Sequence, residues 1–172
     1  MTIRKILTEP DKFLRQISKN VERVNDEERS LMNDMLETMY NANGIGLAAI
    51  QIGVPKRIIV IDLGQKDKKN EPLFLVNPKI IDKNDKIATY EEGCLSVPDQ
   101  FAEIDRPSKC TVEYLDYDGK KKFLNAEGLL ATCIQHEMDH LEGILFIDYL
   151  SKLKREYINK KLSKNKSDRI VV

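Results

Sequence analysis

The two histidines of this chain, His136 and His140, lie four residues apart in the segment QHEMDH, with Glu137 directly after the first. On a helix, positions i and i+4 share one face, so two imidazoles with this spacing can bind one metal ion. The pattern H-E-x-x-H is typical of metal-dependent hydrolysis, in which the glutamate is the general base. The alternative is a core helix whose two histidines are hydrogen-bonded and bind no metal.

A catalytic metal site usually needs a third protein ligand and a position left open for water. With no other histidine in the sequence, this ligand must be a cysteine or a carboxylate. Cys133 shares the helical face of His136, but it lies seven residues before His140, a rise of about 10.5 Å that argues against a common ion. Cys94, in the segment EEGCLSVP, is the better candidate, and a buried thiol without a metal is the alternative.

The apolar segment GIGLAAIQIG at 44–53 contains a single polar side chain, that of Gln51. The segment lacks the G-K-[ST] of a phosphate-binding loop, and its composition favours a buried strand punctuated by glycines. A buried amide without hydrogen-bond partners costs about 1–3 kcal/mol. An amide that is directed at a reacting oxygen would have such a partner.

Together these three segments resemble the signatures of the peptide deformylase family, G-x-G-L-A-A-x-Q, E-G-C-L-S and H-E-x-D-H. The chain has them in this order as GIGLAAIQ at 44–51, EGCLS at 92–96 and HEMDH at 136–140. The resemblance extends from about residue 3 to residue 150. It implies a hydrolase that removes the formyl group from the N-terminal formyl-methionine of newly made polypeptides and releases formate.

The resemblance also implies the roles of individual residues. The metal ligands would be Cys94, His136 and His140. Glu137 would be the general acid and base, and the Gln51 amide and the backbone N–H of Leu95 would be the oxyanion donors. The family further implies one divalent metal ion per chain, with ferrous iron as the native metal and zinc, nickel or cobalt as substitutes.

The substrate needs an apolar pocket for methionine and a groove for the peptide backbone. We expect Ile45, Thr132 and Cys133 to line the pocket, although core packing explains the first two nearly as well. Gly46 is expected to offer backbone hydrogen bonds to an extended peptide.

Outside the pocket, we expect Glu92 to have a structural role by pairing with Arg106.

Two other functions compete with the deformylase interpretation. One is an H-E-x-x-H metallopeptidase that cuts internal peptide bonds, and the other is an inactive relative that binds the ribosome. A cysteine ligand and two further complete motifs argue against the first, and intact Glu137 and Gln51 argue against the second.

The elements that must position these residues suggest an α+β fold. Asn25 and Glu28 form a capping-box pattern before an amphipathic helix, and 56–62 and 73–81 are rich in β-branched residues. Strands and helices do not alternate regularly. We therefore expect mostly antiparallel strands packed around a central helix that carries HEMDH, with an N-terminal amphipathic helix and a C-terminal helical tail.

Three further boundaries follow from turn and cap residues. The segment 109–126 predicts a hairpin that turns at Asp118 and Gly119. The motif helix is expected to run from about Ala126 to residue 141, with Asn125 as its cap and Gly143 as its stop.

Charge divides the chain into an acidic body and a basic tail. Residues 151–172 carry eight basic and two acidic side chains, whereas residues 1–150 carry 20 basic and 26 acidic ones. We expect one catalytic domain over 1–150 and a tail over 151–172 that is helical and then frayed. The tail can meet an anionic partner such as ribosomal RNA, and a solvated terminus is the alternative.

Composition places the chain among soluble globular proteins, with 41% hydrophobic and 33% charged residues. No apolar run approaches the roughly 20 residues that span a bilayer, and MTIRKILTEPDKF has no secretory pattern. We expect a cytoplasmic bacterial protein, with an organelle as the alternative. Formylated nascent peptides are its expected partners, and DNA and membranes are not.

Overall fold

Three α-helices are present in the part of the chain that the structure describes. The structure is a computed structural model, and it describes residues 1–64 and 70–168, the last four as backbone. The helices are α1 (Asp26–Asn41), α2 (Gly128–Leu141) and α3 (Lys152–Asp168). Short 3-10 helices span Lys12–Arg15, Ala49–Ile52 and Phe146–Tyr149. No helix in the described part is both long and apolar enough to cross a membrane.

The strands of the described ranges form two antiparallel sheets. They are β1 (Gly46–Ala48), β2 (Ile58–Ile61), β3 (Leu73–Lys83), β4 (Ile87–Cys94), β5 (Val97–Pro107), β6 (Lys109–Leu115) and β7 (Lys121–Glu127). The larger sheet has the order β1-β2-β3-β6-β7, and β4 pairs with β5 in the smaller one. The expected α+β class with antiparallel strands is therefore confirmed.

The predicted capping box at the start of α1 is present. The Asn25 side chain accepts hydrogen bonds from the backbone N–H groups of Glu27 and Glu28, and the Glu28 carboxylate accepts one from the N–H of Asn25. The apolar stripe of the helix, which includes Met35 and Met39, is buried in the core. The amphipathic helix is therefore confirmed, and it packs against the sheet that carries β1.

The predicted start of the motif helix is wrong by two residues. Asn125 does not cap the helix, because β7 continues to Glu127 and the Asn125 side chain accepts a hydrogen bond from Thr111 on β6. Ala126 faces the core as part of this strand. The helix begins at Gly128, which takes a left-handed conformation (φ 60°) at the junction. Pairing with β6 thus overrides the local cap signal.

Two segments around the sequence motifs also differ from expectation. Residues 87–107 form the hairpin β4–β5, for which the sequence analysis identified no strands. The segment GIGLAAIQIG is a strand only over Gly46–Ala48, and Gln51 lies in the 3-10 helix that follows. In contrast, the hairpin of β6 and β7 is confirmed, and its turn contains Gly119 with φ 81°.

The basic segment at the C-terminus packs against the rest of the molecule. Ile158 and Leu162 of α3 are buried in an apolar cluster with Val97, Ile104 and Phe146. Residues 152–168 of this segment are helical, whereas the division into a catalytic domain and a tail stays a prediction. The predicted frayed end, at 169–172, lies outside the described residues.

Candidate active site

A cleft of about 520 Å³ lies between α2, β1 and the turn that joins β4 to β5. Nine of the ten residues that the sequence analysis selected line it. They are Ile45, Gly46, Gln51, Cys94, Leu95, Thr132, Cys133, His136 and Glu137. The tenth, His140, is fully buried, and its ring contacts that of His136 edge to face with centroids 5.1 Å apart.

Three side chains that could bind one metal ion converge in this cleft. The ligand atoms of Cys94, His136 and His140 all lie within 4.8 Å of one another, and Cys94 Sγ is 3.3 Å from His140 Nε2. Cys133, the rejected candidate from the same helix, does not belong to this group. One thiolate and two imidazoles suit zinc or ferrous iron, and three protein ligands leave a position for water. The residues present therefore fit a divalent metal ion.

The orientation of the His136 ring is set by a buried carboxylate. His136 Nδ1 is 2.7 Å from Glu92 Oε1, so an N–H at Nδ1 directs the lone pair of Nε2 toward the other ligands. Arg106 holds Glu92 in turn through two hydrogen bonds of 2.7 and 3.0 Å. Burial would raise the pKa of Glu92, but the bonds from His136 and Arg106 outweigh it and lower that pKa. The expected pairing of Glu92 with Arg106 is confirmed.

His140 has an environment that favours the neutral imidazole. Burial is the largest cause of its lowered pKa, and the positive charge of Arg106 adds to the effect. Because metal ions bind the neutral ring, this environment agrees with a ligand role.

The Glu137 carboxylate lies on the wall of the cleft and is 4% exposed. Burial raises its pKa to about 7, with His136 opposing this shift and Glu92 adding to it. A carboxyl group that titrates near neutrality can both accept and release a proton there. Glu137 Oε2 is buried and has no hydrogen-bond partner among the side chains that the structure describes.

Gly46 makes room for this carboxylate. A Cβ atom at Gly46 would overlap Glu137 Oε1 and would lie 3.0 Å from Cys133 Sγ. Glycine at this position therefore lets β1 pass directly beside Glu137.

Gln51 has its amide fixed from both ends. Its Oε1 accepts a hydrogen bond from the N–H of Ala48 at 2.8 Å, and its Nε2 donates to Ser96 Oγ at 3.0 Å. The Nε2 atom also lies 3.6 Å from Cys94 Sγ. The amide N–H groups therefore face the metal-binding residues, and the buried amide has the partners that its burial requires.

Leu95 lies in the two-residue turn between β4 and β5, directly after Cys94. The N-terminal segment holds this turn and Gln51 together. The N–H of Leu7 donates to the carbonyl of Gln51 at 2.7 Å, and the N–H of Glu9 donates to the carbonyl of Ser96 at 2.8 Å.

Among the further residues that line the cleft, three large apolar or aromatic side chains were not selected as site residues by the sequence analysis. They are Tyr90, Phe101 and Leu129. Helical spacing could have found Leu129, because it lies three and four residues before Thr132 and Cys133. Tyr90 and Phe101 lie on β4 and β5, the hairpin that was not predicted.

An α+β fold that gathers one cysteine and two histidines beside a buried glutamate defines a metal-dependent hydrolase. The sequence model of the polypeptide deformylase family matches residues 3–156, and the chain belongs to this family. Members of the family are hydrolases that remove N-formyl groups.

Known proteins agree with this assignment over the whole chain. A peptide deformylase from Pelagibacter ubique is 72% identical over 172 residues, 100% of both chains. The crystal structure of peptide deformylase from Ehrlichia chaffeensis has a TM-score of 0.94 at 42% identity and covers 99% of this chain and 100% of that one. A structure of peptide deformylase from the same organism in complex with actinonin has a TM-score of 0.92 at 44% identity, with 96% and 98% covered.

Proposed function

We propose that this site removes the formyl group from the N-terminal formyl-methionine of newly made polypeptides, with one divalent ion held by Cys94, His136 and His140. The observation that carries the proposal is the convergence of these three donors with Glu137 and Gln51 in one cleft. In this proposal α2 is the central helix of the fold, and ferrous iron is the native metal with zinc, nickel or cobalt as substitutes.

A divalent ion in this site supplies a Lewis acid that makes water nucleophilic near neutral pH. Glu137 accepts the proton of the attacking water and delivers it to the amine nitrogen that leaves the formyl group. Its pKa of about 7 suits both transfers. Formate and a free N-terminal methionine are the products.

Gln51 and Leu95 stabilise the negative charge that develops on the formyl oxygen. The Gln51 Nε2 group and the backbone N–H of Leu95 donate hydrogen bonds to this oxygen. Both residues are adjacent to the Cys94 ligand, one through a 3.6 Å contact and the other through the chain. Removing one such donor typically costs about 2.7–4 kcal/mol.

The substrate is recognised by the apolar part of the cleft. The formyl carbon bears a hydrogen in place of the carbon substituent of other acyl groups. The formyl group is therefore small enough to enter the narrow space beside the metal ligands. The methionine side chain packs against Ile45, Thr132 and Cys133, together with Tyr90 and Leu129. The backbone of Gly46, on β1, offers hydrogen bonds to the extended peptide.

Residues 1–150 form the catalytic domain in this proposal, and 151–172 contact the ribosome from which formylated peptides emerge. α3 buries Ile158 and Leu162, so its basic side chains are displayed on a packed helix. The site of action is the bacterial cytoplasm. Replacing Lys154 and Lys160 with glutamine should weaken co-sedimentation with ribosomes, and unchanged co-sedimentation would contradict the contact.

Formate release from a formyl-Met-Ala-Ser peptide tests the proposed roles. Protein prepared without oxygen is compared with Glu137→Gln, which keeps all three ligands. We expect one metal ion per chain in both proteins, and a rate that falls by about 10²–10⁴ in the variant. Metal-loaded wild-type protein that releases no formate, or that cuts internal peptide bonds instead, would contradict the proposal.

A further inference from the structure

We propose that Asp139 and Tyr149 are positioning residues that hold the metal ligand His136 through Arg106 and Glu92. This inference rests on the metal site proposed above. It assigns a role to the fourth residue of HEMDH, whose carboxylate is not among the metal donors, and to a tyrosine outside all three motifs.

A continuous chain of contacts leads from the surface to the metal ligand. The hydroxyl of Tyr149 donates to Asp139 Oδ2 at 2.8 Å, and Arg106 Nη1 donates to the same oxygen at 2.9 Å. Arg106 then holds Glu92 with its Nε and Nη2 groups, and Glu92 Oε1 contacts His136 Nδ1. The hydroxyl of Tyr149 and the ring of His136 thus form the two ends of one chain of contacts.

The inner part of this series of contacts, formed by Arg106 and Glu92, is buried. Arg106 is 5% exposed and Glu92 is 6% exposed, so neither group can be solvated by water when it loses its partner. The guanidinium donates hydrogen bonds to two carboxylates, to Glu92 from Nε and Nη2 and to Asp139 from Nη1. Its carbon also lies 5.1 Å from the centre of the Tyr149 ring. Loss of the Asp139 charge frees one side of the guanidinium and with it the orientation of Glu92.

A second contact links the same 3-10 helix to the metal ligand. Phe146, three residues before Tyr149, stacks on the His136 ring with centroids 6.2 Å apart and an interplanar angle of 26°. The segment Phe146–Tyr149 therefore touches the ligand directly at one end and through Asp139 and Arg106 at the other. The contact with Phe146 restricts rotation of the His136 ring about its side-chain bonds.

Three single substitutions test the inference. Asp139→Asn removes the charge and keeps the shape, and Tyr149→Phe removes the hydroxyl and keeps the ring. Glu142→Gln is the matched control, because Glu142 follows α2 directly and forms an ion pair with Arg57 that leads away from the metal residues. The measurements are the rate of zinc loss to a chelator, the absorption spectrum with cobalt, and kcat and KM.

We expect Asp139→Asn to lose zinc about 10- to 100-fold faster than wild type, as is typical when the outer partner of a metal ligand is lost. Its cobalt spectrum should shift and kcat should fall, with KM unchanged. Tyr149→Phe should shift the same quantities less, and it keeps the test valid if Asp139→Asn does not fold. Glu142→Gln should match wild type.

Equal zinc loss and equal cobalt spectra in Asp139→Asn, Tyr149→Phe and the control would overturn the inference. Wild-type protein that binds no metal would overturn the proposed metal site itself. The two failures are therefore distinguishable.

Discussion

The two walls of the active-site cleft are held in place by different kinds of interaction. The wall formed by α2, called the charged wall below, depends on buried charges. His136 is oriented by Glu92, and Glu92 is held by Arg106. The opposite wall, around Gln51 and Leu95, is called the neutral wall below. It depends on hydrogen bonds between uncharged groups of the backbone and of the Gln51 and Ser96 side chains. Glu92, His136 and Gln51 are all buried, so the difference between these side chains does not come from exposure to water.

In the proposed mechanism, the difference reflects the group that each wall binds. A divalent cation is stabilised by anionic and polar groups around its ligands, and a buried carboxylate next to a histidine raises the basicity of that ligand. A developing oxyanion needs N–H donors that are already oriented and carry no competing negative charge. Hence Gln51 is fixed by groups that leave its N–H side directed at Cys94.

Among the substitutions that compare the two walls, the largest effect is expected for Gln51→Leu, which removes the side-chain donor of the neutral wall. Formate release should fall by about 100- to 1000-fold in kcat, because the oxyanion loses one hydrogen bond. Metal content should stay at one ion per chain, since the charged wall is untouched. Loss of metal together with activity would show that the two walls are not separable.

Gly46→Ala tests the place where the two walls meet. The new methyl group would overlap Glu137 Oε1, and the carboxylate must move aside. A displacement of about 1 Å from the reacting groups can cost about 100-fold in rate. We expect this order of loss in kcat with unchanged metal affinity. A fully active variant would contradict the proposed position of the base.

Glu92→Gln removes the charge of the carboxylate that contacts His136 and leaves all three proposed metal ligands in place. Zinc affinity, measured by competition with a chelator, should fall by about 10- to 100-fold. Glu91→Gln is the control, because Glu91 is exposed on the same strand. Equal zinc affinity in the two variants would contradict the role of the buried carboxylate, provided that thermal unfolding shows both to be folded.

Asn25→Ala lies away from both walls and should separate stability from activity. Loss of the capping box should lower the free energy of unfolding by about 1 kcal/mol, as measured with urea. kcat and metal content should not change, because α1 contributes neither ligand nor base. A change in kcat beyond the error of the assay would mean that α1 sets the geometry of the cleft.

Much of this site was predictable from sequence because its motifs are local. The spacing of His136 and His140 on one helix fixes their common face before any fold is known. The class of fold also followed from the pattern of elements. In contrast, the pairing of Cys94 with the histidines followed from the family resemblance, because spacing alone left it open.

Other features depend on contacts between segments that are distant in the chain. Asn125 has the residue type of a helix cap, yet the pairing of β7 with β6 places it in a strand. Asp139 and Tyr149 are linked to Glu92 through Arg106, which lies 33 residues before Asp139. Neither contact has a periodic signature, so neither could be read from spacing.

The proposed function depends most directly on the identity of the atoms that bind the metal. X-ray absorption at the zinc edge of the loaded protein measures this. We predict one sulfur at about 2.3 Å and two imidazole nitrogens at about 2.0–2.1 Å, with the sulfur lost in Cys94→Asp. A shell without sulfur in the wild type, or a sulfur that persists in the variant, would contradict the proposed site.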